Sequence, residues 1–344
     1  MLVKNNSQKK FQTAWVLLSC VMAITMILSG CGQAPTPKIY RVGILSGLGT
    51  FFAPAADGFK AQMTELGYVE GENITYDIQT TNVDIDAYRS ISKKFVDDKV
   101  DLIFSFPTEA SMEAKAAAQG TDIPVVFGLA FTDVAGIDLI ESVREPGGNI
   151  TGVRFPSAEI ASKRLQILVE MVPDAKRILV PYLKGYPNVP GQLDAIHLQA
   201  KDLGIELIEF AASSPPELQA ELDRRTALDD IGLDAILLIA EPLGVTPDFY
   251  AFLGEFSYEH RLPIGGILNS AEGEYESIFG LGPTPSVVGG QAALLADKVL
   301  KGTPAGTIPV VTSESAFLIN YKAAQALGVT IPDGLLKQAA EVIR

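Results

Sequence analysis

The sequence predicts an α/β protein of two doubly wound parallel-sheet lobes, and three observations carry that expectation. From Ile39 onward, short β-branched runs alternate with stretches of helical spacing, the pattern of a parallel sheet covered by helices on both faces. The alternation breaks in the proline- and glycine-containing stretch 146–152 and then starts again. The chain has 344 residues, 47% of them hydrophobic and 20% charged. That is enough for roughly two domains of about 100–200 residues and too apolar for a disordered chain.

The first half reads as strands over 40–45, 73–79, 101–105 and 124–127, with helices over 52–66, 84–98 and 108–119 between them. Gly67 and Gly120 stand where a helix ends on a left-handed residue. The second half reads as helices over 158–172, 190–203, 215–230 and 247–260, alternating with strands over 177–180, 205–210, 234–239 and 264–268. Beyond Gly280 come a helix over 286–301, a strand-like stretch over 308–319 and a final helix pair over 321–343. Ligands of such sheets bind at the carboxyl ends of the strands, and two lobes can set those ends facing each other across a cleft.

The first thirty residues read as an export signal. Lys4, Lys9 and Lys10 precede an uncharged apolar run from Ala14 to Leu28. That run is short of the ~20 residues of a membrane span and has the size of a signal-peptide core. Leu28-Ser29-Gly30-Cys31 then resembles the bacterial lipobox, in which the cysteine is diacylated and becomes the new N-terminus. Residues 1–30 are therefore expected to be a lipoprotein signal peptide, and residues 31–38, with Pro35 and Pro37, a lipidated tether. Lipid chains anchor a protein without a transmembrane helix. The folded chain would then lie on the outer face of the cytoplasmic membrane, and it would contain no cysteine, since Cys20 leaves with the signal.

Composition excludes several function classes. Twenty-seven Lys and Arg against 41 Asp and Glu give a net charge of −14, unsuited to a phosphate backbone, so no nucleic acid is expected. Two cysteines make neither a disulfide framework nor a thiolate metal site. The two histidines, His197 and His260, read as surface or packing residues. With no G-x-S-x-G and no H-E-x-x-H, an exported hydrolase lacks its machinery. The loop at 46–50 lacks the G-x-G-x-x-G spacing of a dinucleotide site. No cofactor and no metal are expected, and no enzyme.

Five stretches in order resemble one family. VREPGGNITG (143–152) resembles its "ARPGGNVTG"; LGYVEGEN (66–73) resembles "LGYVEGKN"; KRLQILVEMVP (163–173) resembles "KRLELLKELVP". ADKVLKG (296–302) and NYKAAQALG (320–328) continue the match to AAEVI (339–343). The chain is thus similar, over nearly all of 40–343, to the ABC transporter substrate-binding proteins that include tryptophan- and phenylalanine-binding lipoproteins. The resemblance implies a type I periplasmic-binding-protein fold whose lobes close by hinge motion. It places three crossings near 152–155, 280–284 and 312–317. One lobe would be 39–153 plus about 283–312, the other 154–282 plus about 313–344. It also implies a monomer that captures a small molecule, an apolar or aromatic amino acid, and delivers it to an ABC permease. A receptor handing its closed form to a signalling partner in the membrane is the alternative, and a lipid-anchored enzyme a weaker one.

A zwitterion requires donors for its carboxylate, an acceptor for its ammonium and apolar walls. Ser46 and Gly47 end the first strand in a glycine-rich loop that is a ligand-facing turn or a plain βα connection. Phe106, Thr108 and Ser111 follow the third strand; Thr108 is placed either to meet the carboxylate or only to cap its helix. Glu109, beside it, is expected to point outward. Asp133 follows the fourth strand, as an ammonium acceptor or a helix cap. In the second lobe, Tyr182 follows the first strand, and Glu241 is the carboxylate that family analogy sets against the ammonium. Asn269 opens an acidic loop with Glu272 and Glu274 that reads as solvated. Among Phe51, Phe52, Phe106, Phe131, Phe155 and Tyr182, two or three are expected to wall the pocket and the rest to be core.

Overall fold

The computed structural model describes residues 38–47, 49–82, 84–134, 136–267 and 276–344. The signal peptide, Cys31, nearly all of the tether, Asn269, Glu272 and Glu274 lie outside the described residues. From Tyr40 to Arg344 the chain forms one compact unit containing two sheets. Strands β1 (Tyr40–Gly47), β2 (Ile74–Thr81), β3 (Leu102–Phe106), β4 (Val125–Ala130), β5 (Ile150–Arg154) and β11 (Val311–Thr312) form the first, in the order β11-β5-β4-β3-β1-β2. All its pairings are parallel. Its central strands are buried throughout: LIFSF in β3 and VVFGLA in β4. This is the continuous apolar run that a sheet covered on both faces demands, whereas edge strand β2 alternates between buried and exposed positions.

Helices α1 (Gly49–Glu65), α2 (Ile85–Asp97) and α3 (Thr108–Ala118) follow β1, β2 and β3. Asp84 starts α2 by accepting the Ala87 N–H at 3.1 Å. Gly43 of β1 lies under the Phe95 ring of α2, and a Cβ there would stand 2.7 Å from that ring.

After β5 the chain leaves the first sheet. Helix α4 (Ser157–Met171) leads into β6 (Arg177–Leu183), α5 (Val189–Leu203), β7 (Glu206–Ala212), α6 (Pro215–Thr226), β8 (Ala235–Leu237), α7 (Pro247–His260), β9 (Ile264–Gly266) and β10 (Phe279–Pro283). Gly204 closes α5 in the left-handed conformation, and its N–H donates to the Ala200 and Lys201 carbonyls of the last turn. From β10 the chain returns as α8 (Pro285–Leu300), whose Val288, Ala292 and Leu295 share a core with Ile44, Phe59 and Phe104 of the first lobe. It adds β11 there and crosses back at Ser313 into β12 (Ser315–Asn320), α9 (Tyr321–Ala326), α10 (Asp333–Gln338) and β13 (Glu341–Ile343). The second sheet has the order β13-β12-β10-β9-β8-β6-β7.

Two local expectations change. The strand-like stretch 308–319 is two strands in two sheets, because β11 pairs with β5 while β12 pairs with β10. The final helix pair stops at Gln338, since Glu341–Ile343 pair in parallel with Leu318–Asn320 as an edge strand. The second sheet is therefore mixed, with β12 antiparallel to β10. Among the described residues, no helix is long and apolar enough to cross a membrane.

Candidate functional site

Strand order reverses between β1 and β3 in the first sheet and between β6 and β8 in the second. The loops leaving these switch points are where open α/β sheets hold ligands. Residues from both lobes enclose a cavity of about 320 Å³ there. Pro107 and Glu109 enter it after β3, Leu129 and Phe131 at the end of β4, and Phe155 after β5. Tyr186 follows β6, Ala240 to Pro242 follow β8, and Ile267 follows β9. Leu281, Ala316 and Leu318 from β10 and β12 close one wall.

The walls are apolar and partly aromatic. Phe131 and Phe155 meet at 5.8 Å between ring centres, in a cluster with Ile160, Ala240 and Leu281 that joins the two lobes. The register of β4 against β5 shifts between Phe127 and Ala130. Leu129, within that irregularity, takes a left-handed backbone with φ 52°. Such a conformation is costly for a residue with a side chain and collects at functional sites; here both Leu129 and Phe131 reach the cavity.

Among the described lining residues three are charged: Glu109, Arg164 and Glu241. Arg164 lies on the buried stripe of α4 with only 3% of its surface exposed. Its Nε donates to the Leu281 carbonyl at 2.8 Å and its Nη1 to the Leu238 carbonyl at 3.3 Å. No carboxylate among the described residues pairs with it. Burial lowers its pKa to about 9, so it stays a cation at neutral pH. Gly266 and Gly282 make room for it, since a Cβ on either would stand 3.2–3.3 Å from its side chain.

Glu241 is buried and turned toward its own loop. Its carboxylate accepts the N–H groups of Leu183 and Leu243 at 3.0 Å each and of Gly244 at 2.6 Å, bracing the 3₁₀ turn Leu243–Val245. Burial raises its pKa, against the pull of those three donors. Behind it, Asn188 and Gln192 hold the Ala240 carbonyl at 2.6 and 2.9 Å, and Ser157 donates to Asn188 at 2.8 Å. These buried bonds tie the end of β8 to α4 and α5.

Glu109 corrects its expectation: it faces the cavity, where its Oε1 accepts the Tyr186 hydroxyl at 2.9 Å. That bond crosses the cleft, from the start of α3 in one lobe to the loop after β6 in the other. Burial first, then the Glu109 charge, pushes the Tyr186 hydroxyl upward and keeps it a donor.

Of the residues singled out in the sequence, the structure brings Phe155 and Glu241 to the cavity. Ser46 is buried at the end of β1, its hydroxyl without a partner among the described residues. Gly47 is packed against the Tyr88 hydroxyl and Pro107, leaving no room for a Cβ. Phe106 is core, its ring tilted against Phe104 at 4.8 Å between centres. Thr108 accepts the Phe131 N–H at 3.0 Å and so positions a wall residue. Ser111 donates to the Pro107 and Ser105 carbonyls. Asp133 is exposed, and the Tyr182 hydroxyl donates to Glu209 at 3.0 Å on the outer side of β6. None of these seven is among the lining residues. Phe52 and Phe131, two of the candidate wall aromatics, are. Arg164 and Tyr186 were not legible as site residues, although a charge at 164 within the stripe 157, 160, 161, 165, 168 and 171 breaks an otherwise buried helix face. Among the described residues no group of acidic, His or Cys side chains is arranged to hold a metal.

Comparison with known proteins decides the family. Residues 52–343 match the model of the ABC transporter substrate binding protein family. The chain belongs to that family. Substrate-binding proteins of this kind are not enzymes: their work is recognition. A tyrosine-binding protein of Clostridioides difficile is 30% identical over 280 residues, covering 79% of this chain and 76% of the relative. In fold the chain is similar to the ABC domain from Streptococcus pneumoniae solved in complex with L-Trp, with a TM-score of 0.75 at 23% identity over 89% of this chain and 100% of that one. It is similar also to the ligand-free, open structure of a substrate-binding protein with adhesive properties from Clostridium difficile (TM-score 0.69, 23% identity, 89% and 99% covered). The fold expected for the substrate-binding protein, two α/β lobes of the type I kind, is the one observed.

Proposed function

We propose that this substrate-binding protein captures an α-amino acid with an aromatic or large apolar side chain and presents it to an ABC permease. The observation that carries the reading is the cavity itself. It lies at the switch points of both sheets, is walled by Phe52, Phe131 and Phe155, and has one cation and two carboxylates at its edge. Its volume suits a ligand of amino-acid size, and its charges suit a zwitterion rather than a sugar. The tyrosine-binding relative and the tryptophan-bound structural neighbour support the same class. Contacts to both lobes stabilise the closed form, which the permease then reads. Cys31, acylated after loss of residues 1–30, would hold the protein as a monomer on the outer face of the cytoplasmic membrane.

Calorimetric titration and thermal shift of the purified protein with the twenty amino acids, small sugars and nucleosides test the reading. A ligand that binds only the folded state raises the melting temperature with its excess over Kd. Stabilisation by Tyr, Trp or Phe is the expected result. Stabilisation by sugars or nucleosides alone would overturn the ligand class. Mass spectrometry of the N-terminus in wild type and Cys31→Ala checks the anchor.

A further inference from the structure

The three charges around the cavity are not equivalent. Glu241 is engaged by three backbone N–H groups, so its carboxylate serves the loop that carries it. Arg164 is the reverse case: a guanidinium with five N–H donors that bonds two carbonyls and meets no carboxylate among the described residues. An isolated buried charge is expensive unless something pairs with it. The cavity it lines is where an anionic partner enters. Its Nη2 stands against Gly282, itself a lining residue.

Glu109 supplies the opposite sign on the opposite lobe. One of its oxygens accepts the Tyr186 hydroxyl, and its other oxygen makes no bond to the described residues. It stands in the first turn of α3. Because Tyr186 comes from the second lobe, the bond fixes Glu109 only when the lobes are together.

We propose that Arg164 receives the ligand's carboxylate and that Glu109, steadied by Tyr186, receives its ammonium, so that the bound zwitterion lies with its positive end on the first lobe and its negative end on the second. The proposal rests on the amino-acid reading of the cleft and reverses the polarity that Thr108 and Glu241 would have given it. Tyr186 is a positioning residue, and Glu241 a structural one.

Three probes separate the roles: L-tyrosine, tyramine without the carboxylate, and 3-(4-hydroxyphenyl)propionate without the ammonium. Each is titrated calorimetrically into the full-length wild type, Glu109→Gln and Arg164→Met. Glu109→Gln keeps an acceptor for Tyr186 and is expected to weaken tyrosine and tyramine about tenfold or more, the scale of a lost charge-assisted bond, while sparing the propionate. Arg164→Met is expected to weaken tyrosine and the propionate and to spare tyramine. If that variant does not fold, Arg164→Lys, which keeps the charge but loses the planar fork, should still weaken the two carboxylates selectively. The reverse pattern, or equal loss of all three probes in Glu109→Gln, overturns the polarity. So does Glu241→Gln reproducing the pattern of Glu109→Gln. A wild type that binds no amino acid overturns the functional reading beneath it instead.

Discussion

Gly289 of α8 faces the Ala55 carbonyl of α1 so closely that a Cβ would stand 1.9 Å from that oxygen. Gly58 and the Ser286 carbonyl repeat the relationship one turn away, also at 1.9 Å. The two helices pack backbone on backbone, and this contact fastens the returning segment to the first lobe. Gly289→Ala should push them apart at a cost of about 1–3 kcal/mol or more, despite the better helix propensity of alanine. A denaturant midpoint equal to that of the wild type would contradict the packing.

Tyr186→Phe removes one hydroxyl and with it the bond across the cleft. A hydrogen bond to a charged group contributes about 1.5–3 kcal/mol, enough to shift the balance between open and closed forms severalfold or more. The ligand-free variant should show a larger radius of gyration by small-angle scattering and a weaker affinity for amino acid. Identical scattering curves would mean that this bond does not hold the lobes together.

Arg177 binds Asp230 at 2.8 Å and Asp234 at 3.1 Å, and Asp234 also accepts the N–H groups of Lys176 and Arg177. The bond to the guanidinium lowers the Asp230 pKa. For Asp234, partial burial acts upward, but Arg177 and the two N–H donors outweigh it and the net shift is also downward. Carboxyls depressed in the folded state contribute stability that is present above their ordinary pKa of about 3.9 and lost as pH falls through the lower folded values. Asp234→Ala should therefore cost about 1–3 kcal/mol at neutral pH and flatten the acid limb of the stability curve. Thermal melts between neutral pH and the acid limit check both effects.

Ala316 forms part of the cavity wall on β12. Ala316→Leu fills space that an aromatic ring would occupy, so binding should move from tyrosine and tryptophan toward smaller amino acids such as valine. The shift is read as a change in the ratio of dissociation constants. An unchanged ratio would place the side chain of the ligand against another wall.

Much of the architecture was legible because it is local. The buried runs of β3 and β4 need no knowledge of their neighbours, and Gly67, Gly120 and Gly204 all adopt the left-handed backbone that ends a helix. The tail was less legible because β13 exists only through its pairing with β12, and nothing in residues 341–343 alone distinguishes it from a helix end. The site shows the same division. Phe155 could be found because it stands at a crossing. Arg164 could not be read as a ligand group from a helix rich in charged residues, because its burial depends on where the ends of β8 and β10 fall. Glu109 was expected to point outward because the segment carrying Tyr186 is distant in sequence, and the partner that draws it inward is invisible there.

The return of α8 and β11 to the first lobe has a consequence for the order in which the protein is made. As the polypeptide leaves the ribosome, residues 40–154 emerge first, yet they lack the helix that covers Phe59 and Phe104 and the strand that borders β5. Both arrive only after the body of the second lobe, when residue 312 has been synthesised. Until then the early half exposes an unfinished apolar face and an open sheet edge, so it cannot settle into its final form ahead of the rest. A chain built this way can complete neither sheet until more than nine-tenths of it has been made, because β11 finishes the first and β12 and β13 the second.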